Sequence, residues 1–95
     1  MYYLLLALHQ PGHGYAVMER VKALSQGRVA LGPGTLYTLL ARFEKEGLIA
    51  LDRAEDTRKI YRLTHLGRDT LEQEYWRLCR QVADGAAVFG EEGDP

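Results

Sequence analysis

The stretch GPGTLYTLLARFEKEGLI, residues 32–49, limits what this 95-residue chain can fold into more than any other part of it. Leu36, Leu39, Leu40 and Phe43 recur at i, i+3, i+4 and i+7, the spacing of a helix with one core-facing stripe. Pro33 suits the first helical position, and Gly47 stands where a C-cap glycine belongs. Two β-like segments follow at once. LIALDR (48–53) leads to a polar tip, AEDTR (54–58), and KIYRL (59–63) returns, with Ile60 and Arg62 alternating against Tyr61 and Leu63.

Two helical segments come first. Tyr2–Leu8 is apolar and unbroken until Pro11-Gly12 ends it, and its abrupt start reads as a helix short of its first turn. A second helix is predicted from about Gly14 to Leu24. Tyr15, Met18, Val21 and Leu24 form its drifting apolar face, with Glu19, Arg20 and Lys22 toward water. Ser25-Gln26-Gly27 stops it, and Arg28–Leu31 reads as a very short strand or an extended linker. After the hairpin, Thr64 can cap a last helix reaching Val88 or Phe89. Its stripe of Leu71, Tyr75, Leu78, Val82, Gly85/Ala86 and Phe89 has the 4-3-4 spacing of a coiled coil. Nothing left in one chain is wide enough to cover that stripe, so a second copy is expected to do so. The predicted fold is mainly α with a small β-hairpin: a winged helix-turn-helix over residues 1–64, a dimerisation helix over 65–89 and a disordered acidic tail over 90–95.

Composition narrows the function. The chain is 46% hydrophobic and 26% charged, ordinary for a soluble globular domain. No apolar run approaches the roughly 20 residues that span a bilayer, so no membrane partner is expected. MYYLLLAL has neither a basic n-region nor a small-residue cleavage pattern, which argues against a signal peptide. A single cysteine, Cys79, fits a reducing cytoplasm. The net charge of −1 is unevenly spread: residues 84–95 hold Asp84, Glu91, Glu92 and Asp94 with no Lys or Arg, and removing those four leaves +3 over residues 1–83. That permits contact with phosphates without requiring it.

With the leucine stripe inward, the opposite face of the third helix carries Gly34, Thr38, Ala41 and Lys45, and Tyr37 and Arg42 lie on its flanks. Small and hydrogen-bonding side chains suit a helix that enters the DNA major groove, about 12 Å wide. Its first turn offers unpaired N–H groups and the positive dipole end to a phosphate. Gly34 leaves that approach open, and Thr35 and Tyr37 bring hydroxyls for phosphate oxygens. Thr38 and Arg42 are the candidates for base edges. Arg58 and Lys59, at the base of the hairpin tip, are candidates for backbone contact, with Arg62 further along. The plain alternatives are a Gly-Pro-Gly turn that merely starts a surface helix, and a solvated hairpin whose charges pair across strands.

Four pieces in order resemble the PadR family of bacterial transcriptional regulators: HGY at residues 13–15, PGTLY at 33–37, FEKEGLI at 43–49 and RKIYRLTHLGR at 58–68. The resemblance they carry covers residues 4 to about 72. The resemblance implies a homodimeric winged-helix repressor on an inverted-repeat operator of double-stranded DNA, released by a small aromatic effector. It points to Thr35, Tyr37, Arg58 and Lys59 as DNA-backbone contacts and places Tyr15 near the path of that backbone. One departure is Gly32, where the family often has Ser or Thr, which removes a side-chain cap. The last helix is single and short, as in the smaller branch of the family, so an effector pocket would form at the dimer interface.

Trp76 and Cys79 lie one position round from the last stripe. Two such helices meeting on a two-fold axis would bring their Trp76 rings together as a platform for flat aromatic compounds; equally, Trp76 can fill the dimer core or pack beside Tyr2 and Tyr3. Catalysis, metal and cofactor find no pattern. Cys79 has no base at i±3 or i±4, Pro11-Gly12 breaks the helix between His9 and His13, and neither a P-loop nor GxGxxG occurs. His13 reads as a helix-entry residue that hydrogen-bonds locally. The rival of another class is a winged-helix module that binds protein and not DNA.

Overall fold

Burial of the leucine stripe sets the architecture. In the computed structural model, which describes residues 1–90, the order is α1 (Tyr2–Ala7), α2 (Gly14–Leu24), α3 (Pro33–Lys45), β1 (Ile49–Glu55), β2 (Arg58–Leu63) and α4 (His65–Phe89). Leu36, Leu40 and Phe43 of α3 are buried against Leu4, Leu5 and Leu8 at the N-terminal end and against Val17 and Val21 of α2. Ile49 and Leu63 close the core from the hairpin, while Leu39 stays half-buried at its edge. Each such side chain contributes roughly 1.5–3 kcal/mol by leaving water. Three helices and a two-stranded wing around one core are the expected winged helix. The acidic tail lies outside the described residues from Glu91 onward.

The ends of α3 and α4 explain why the chain turns where it does. Gly47, at φ 79°, completes the termination of α3: its N–H donates to Glu44 O and that of Leu48 to Phe43 O. The Thr64 hydroxyl donates to Gly47 O at 2.5 Å and accepts from Gly67 N–H at 3.0 Å, so one residue ties the end of α3 to the start of α4. Gly67 is buried with its backbone on that of Leu48, and a Cβ there would overlap the Leu48 carbonyl.

Several expectations need correction. The inner face of α2 is Val17 and Val21 with Met18 half-buried; Tyr15 is 61% exposed and Leu24 also faces solvent. The face drifts because α2 meets the core mainly through its middle. Arg20 is not simply solvated. Its guanidinium donates to the carbonyls of Ala7, Gln10 and Pro11 at 3.0, 2.8 and 3.2 Å, satisfying groups left open at the end of α1. Arg28–Leu31 is a linker. Among the described residues the sheet has two strands, and the place beside β2 is taken by a bridge in which Gly12 and Tyr61 exchange N–H···O bonds at 3.0 Å. The hairpin tip shrinks to Asp56-Thr57, with Asp56 at φ 55°, because Ala54 and Glu55 pair with Lys59 and Arg58. A register shift between Leu51 and Arg53 interrupts strict alternation, and Ile60 and Leu63 are both buried with Tyr61 half-buried between them.

Only the first part of α4 rests on the body. Gly67 is its one buried residue, and Tyr75, Trp76, Val82, Val88 and Phe89 are exposed. Extents of 55 × 26 × 19 Å reflect this projecting helix.

Candidate nucleic-acid interface

The outward side of α3 is uncovered. Gly34, Thr35, Tyr37, Thr38, Ala41, Arg42 and Lys45 are all exposed, and among the described residues nothing lies within 4 Å of where a Gly34 side chain would begin. Gly32 takes the cap position without a side-chain hydrogen bond, so the first turn keeps its free N–H groups. Thr38, Ala41 and Lys45 share the line farthest from the core. A helix held by its leucines and bare on its far side can approach another surface backbone-first.

The two flanks differ. Tyr37 turns toward α2 and the wing. Its hydroxyl lies so close to Gly14 that a Cβ there would stand 2.6 Å away, so glycine at the start of α2 lets the phenol close in. Tyr37 then lines a cleft of about 490 Å³ together with His13, Tyr15, Arg58, Lys59 and Tyr61. Burial, with Glu44 and Tyr37 nearby, pushes the Tyr61 phenol above its ordinary range. Arg42 points the other way. It ion-pairs with Glu46 at 3.6 Å and borders a cleft with Met1, Tyr2 and Glu74. Burial and then the Arg42 charge lower the pKa of the Met1 amine.

Charge on the wing is sorted by position. Arg53 is held by Asp52 and Glu55 at 2.6 and 3.1 Å, and Arg62 reaches Asp52 at 3.6 Å. Among the described residues Arg58 and Lys59 have no ion-pair partner. The cross-strand pairing reading therefore describes Arg62 with Asp52, while Arg53 pairs within β1 and the two cations that face the cleft pair with neither strand. Exposed pairs of this kind add little stability, but they cancel charge where they occur. The cleft thus gathers Tyr15, Tyr37, Arg58 and Lys59 from three elements; Gly34, Thr35, Thr38 and Lys45 lie along α3, and Arg42 sits apart.

His13 belongs to the same cleft, a role its sequence position did not reveal. It caps α2 as expected, with Nδ1 accepting from Ala16 N–H at 3.3 Å, but its Nε2 also lies 3.3 Å from Arg58 Nη1. Residues 45 apart in sequence leave no periodic signal of that meeting.

On α4, Trp76 is 53% exposed and packs edge-on against Tyr75 with ring centroids 5.1 Å apart. It borders an open groove with Gln73, Arg77 and Arg80. Cys79 is half-buried on another side. Its thiol beside the Tyr75 phenol pushes that phenol up, and it raises Tyr2 after the larger effect of burial. Thr70 and Glu74 complete the lining of the groove beside Trp76. Leu71 and Leu78 are half-buried, whereas Tyr75, Val82 and Phe89 are exposed. Among the described residues no cluster of three or more His, Cys, Asp or Glu could hold a metal, and no helix is long and apolar enough to cross a membrane.

Comparison with known proteins agrees with this fold. A transcriptional regulator from Clostridium thermocellum superposes with a TM-score of 0.69 at 28% identity, covering 88% of this chain and 87% of that one. A PadR family transcriptional regulator from Eggerthella lenta gives 0.65 at 30% identity, covering 99% and 81%. In sequence, a 37.1 kDa protein in transposon TN4556 of Streptomyces fradiae is 37% identical over 70 residues, 74% of this chain. Transcriptional regulator YqjI of Escherichia coli is 31% identical over 61 residues, 64% of this chain. The chain spans only 20% and 30% of the length of those two relatives. The profile of the transcriptional regulator PadR-like family matches residues 4–73, from α1 into the first turns of α4, and the chain belongs to that family.

Proposed function

We propose that the protein is a sequence-specific DNA-binding transcriptional regulator that works as a homodimer. Residues 1–64 form the reading domain and residues 65–89 the dimerisation helix. The observation that carries the reading is the bare outward side of α3 beside a cleft whose two cations, Arg58 and Lys59, are unpaired among the described residues. In the dimer, paired α3 helices enter successive major grooves about 34–36 Å apart on an inverted repeat. Gly34, Thr35, Tyr15, Tyr37, Lys45, Arg58 and Lys59 hold the backbone, and Thr38 and Arg42 meet base edges. Leu71, Tyr75, Leu78, Val82 and Phe89 cover one another across the two-fold axis. A dimer seated on an operator represses, and a small aromatic compound stacking near Trp76 and Cys79 releases it.

The test is the retardation of operator-sized duplexes at several salt concentrations. Affinity should fall steeply with salt, because each neutralised phosphate releases counterions. Tyr37→Phe and Arg58→Ala should weaken binding to all sequences alike. Binding indifferent to salt, or absent, would favour a protein-binding module instead.

A further inference from the structure

The His13 ring is held in a position that no tautomer satisfies. A neutral imidazole offers one lone pair and one N–H. If Nδ1 accepts from Ala16 N–H as the cap of α2 requires, the proton is on Nε2 and faces the Arg58 guanidinium, donor to donor, at 3.3 Å. If Nε2 accepts from Arg58, Nδ1 carries the proton and the cap is lost. Among the described residues no protein acceptor is bonded to this solvent-facing pair of donors. The surrounding groups are Arg58 and Lys59 from β2 and the phenols of Tyr15, Tyr37 and Tyr61; no carboxylate lines the cleft. An acceptor placed between Nε2 and Nη1 resolves the conflict, and a negatively charged one also offsets the two cations.

We propose that His13 is a phosphate-gripping residue: its Nε2–H and the Arg58 guanidinium close on one phosphate of the DNA backbone, clamping it between the start of α2 and the wing. This rests on the DNA-binding reading above. A backbone is the source chosen because the cleft is open and adjoins the bare side of α3 through Tyr37. The Gly12–Tyr61 bridge holds the two jaws in register. His13 thus has two duties on two nitrogens, cap inward and donor outward.

His13→Ser separates them, because serine caps a helix well and has nothing to replace the outer donor. At pH 8 the urea midpoint of this variant should match the parent. Its affinity for operator and unrelated duplex should fall alike, roughly ten- to a hundredfold, the size of one hydrogen bond to a charged group. The salt slope should stay, since the lost donor is uncharged, whereas Arg58→Ala should lower it by about one. The double variant should lose less than the product of the single losses, because both hold the same phosphate. Parent-like DNA binding by His13→Ser, or losses that multiply fully, would overturn the proposal. If the parent chain binds no duplex, the functional reading fails and the grip is decided with inorganic phosphate and the ¹⁵N signals of the His13 ring. A saturable shift abolished by Arg58→Ala supports the grip, and no shift refutes it.

Discussion

Helices α3 and α4 carry the same kind of apolar stripe and meet opposite fates. In α3 the stripe is covered by the chain itself: Leu36, Leu40 and Phe43 are almost wholly out of solvent. In α4 Val82 is 73% and Phe89 69% exposed. Periodicity states that a face demands burial and does not say who supplies it. Where α1, α2 and the wing meet the demand, the opposite polar face is left over for a ligand. Where the described residues cover only Leu71 and Leu78 in part, the rest of the stripe is a surface left without cover. One protein thus displays both a satisfied helix with a free polar side and an unsatisfied helix with a free apolar side.

The sharpest way to break that contrast is a pair of truncations. Leu40→Ala should destabilise the fold by roughly 2–5 kcal/mol in urea unfolding. Val82→Ala, examined at concentrations where sedimentation shows monomer, should shift the unfolding free energy by less than about 0.5 kcal/mol and instead weaken self-association. Equal losses from both would mean that α4 is covered by its own chain after all. Gly67→Ala comes next. The added methyl meets the Leu48 carbonyl, which is backbone and cannot move aside as a side chain would. A loss of roughly 1–3 kcal/mol is expected from such overpacking, and an unchanged midpoint would show that the seat of α4 is loose. The smallest effect on stability belongs to Arg42→Ala, whose exposed pair with Glu46 is worth about 0.5 kcal/mol or less. Its readout is the ranking of operator variants, which should compress if Arg42 reads a base. An unchanged ranking would leave base reading to the Thr38 line of α3.

Much of this was visible beforehand wherever the cause is local. The stripe of α3, the glycine after it, the Thr64 cap and the element order all depend on residues within one or two turns of each other. Tyr15 was assigned to a face by spacing alone, and the tertiary position of α2 turned it outward. Arg20 reads as a water-facing cation until its 13-residue reach to Ala7 O is known. Gly67 carries no sign in sequence that another segment's carbonyl occupies the space its side chain would need. The wing is longer and its tip shorter than the sequence predicts, because polar residues there mark exposure and not the turn itself. Candidate DNA contacts were legible as residue types, but the division between a Tyr37 flank facing the wing and an Arg42 flank facing Met1 depends on how α3 is rotated in place.

The seat of Gly67 has a mechanical consequence. Backbone resting on backbone makes a stiff corner, so α4 and the reading head turn as one piece. A rod of 25 residues is roughly 38 Å long. In the proposed dimer, a five-degree change in how two such rods cross near Val82 and Phe89 would swing each head by roughly 3 Å. A compound wedged far from the duplex could thereby spoil the fit of both heads at once, with no rearrangement inside either of them.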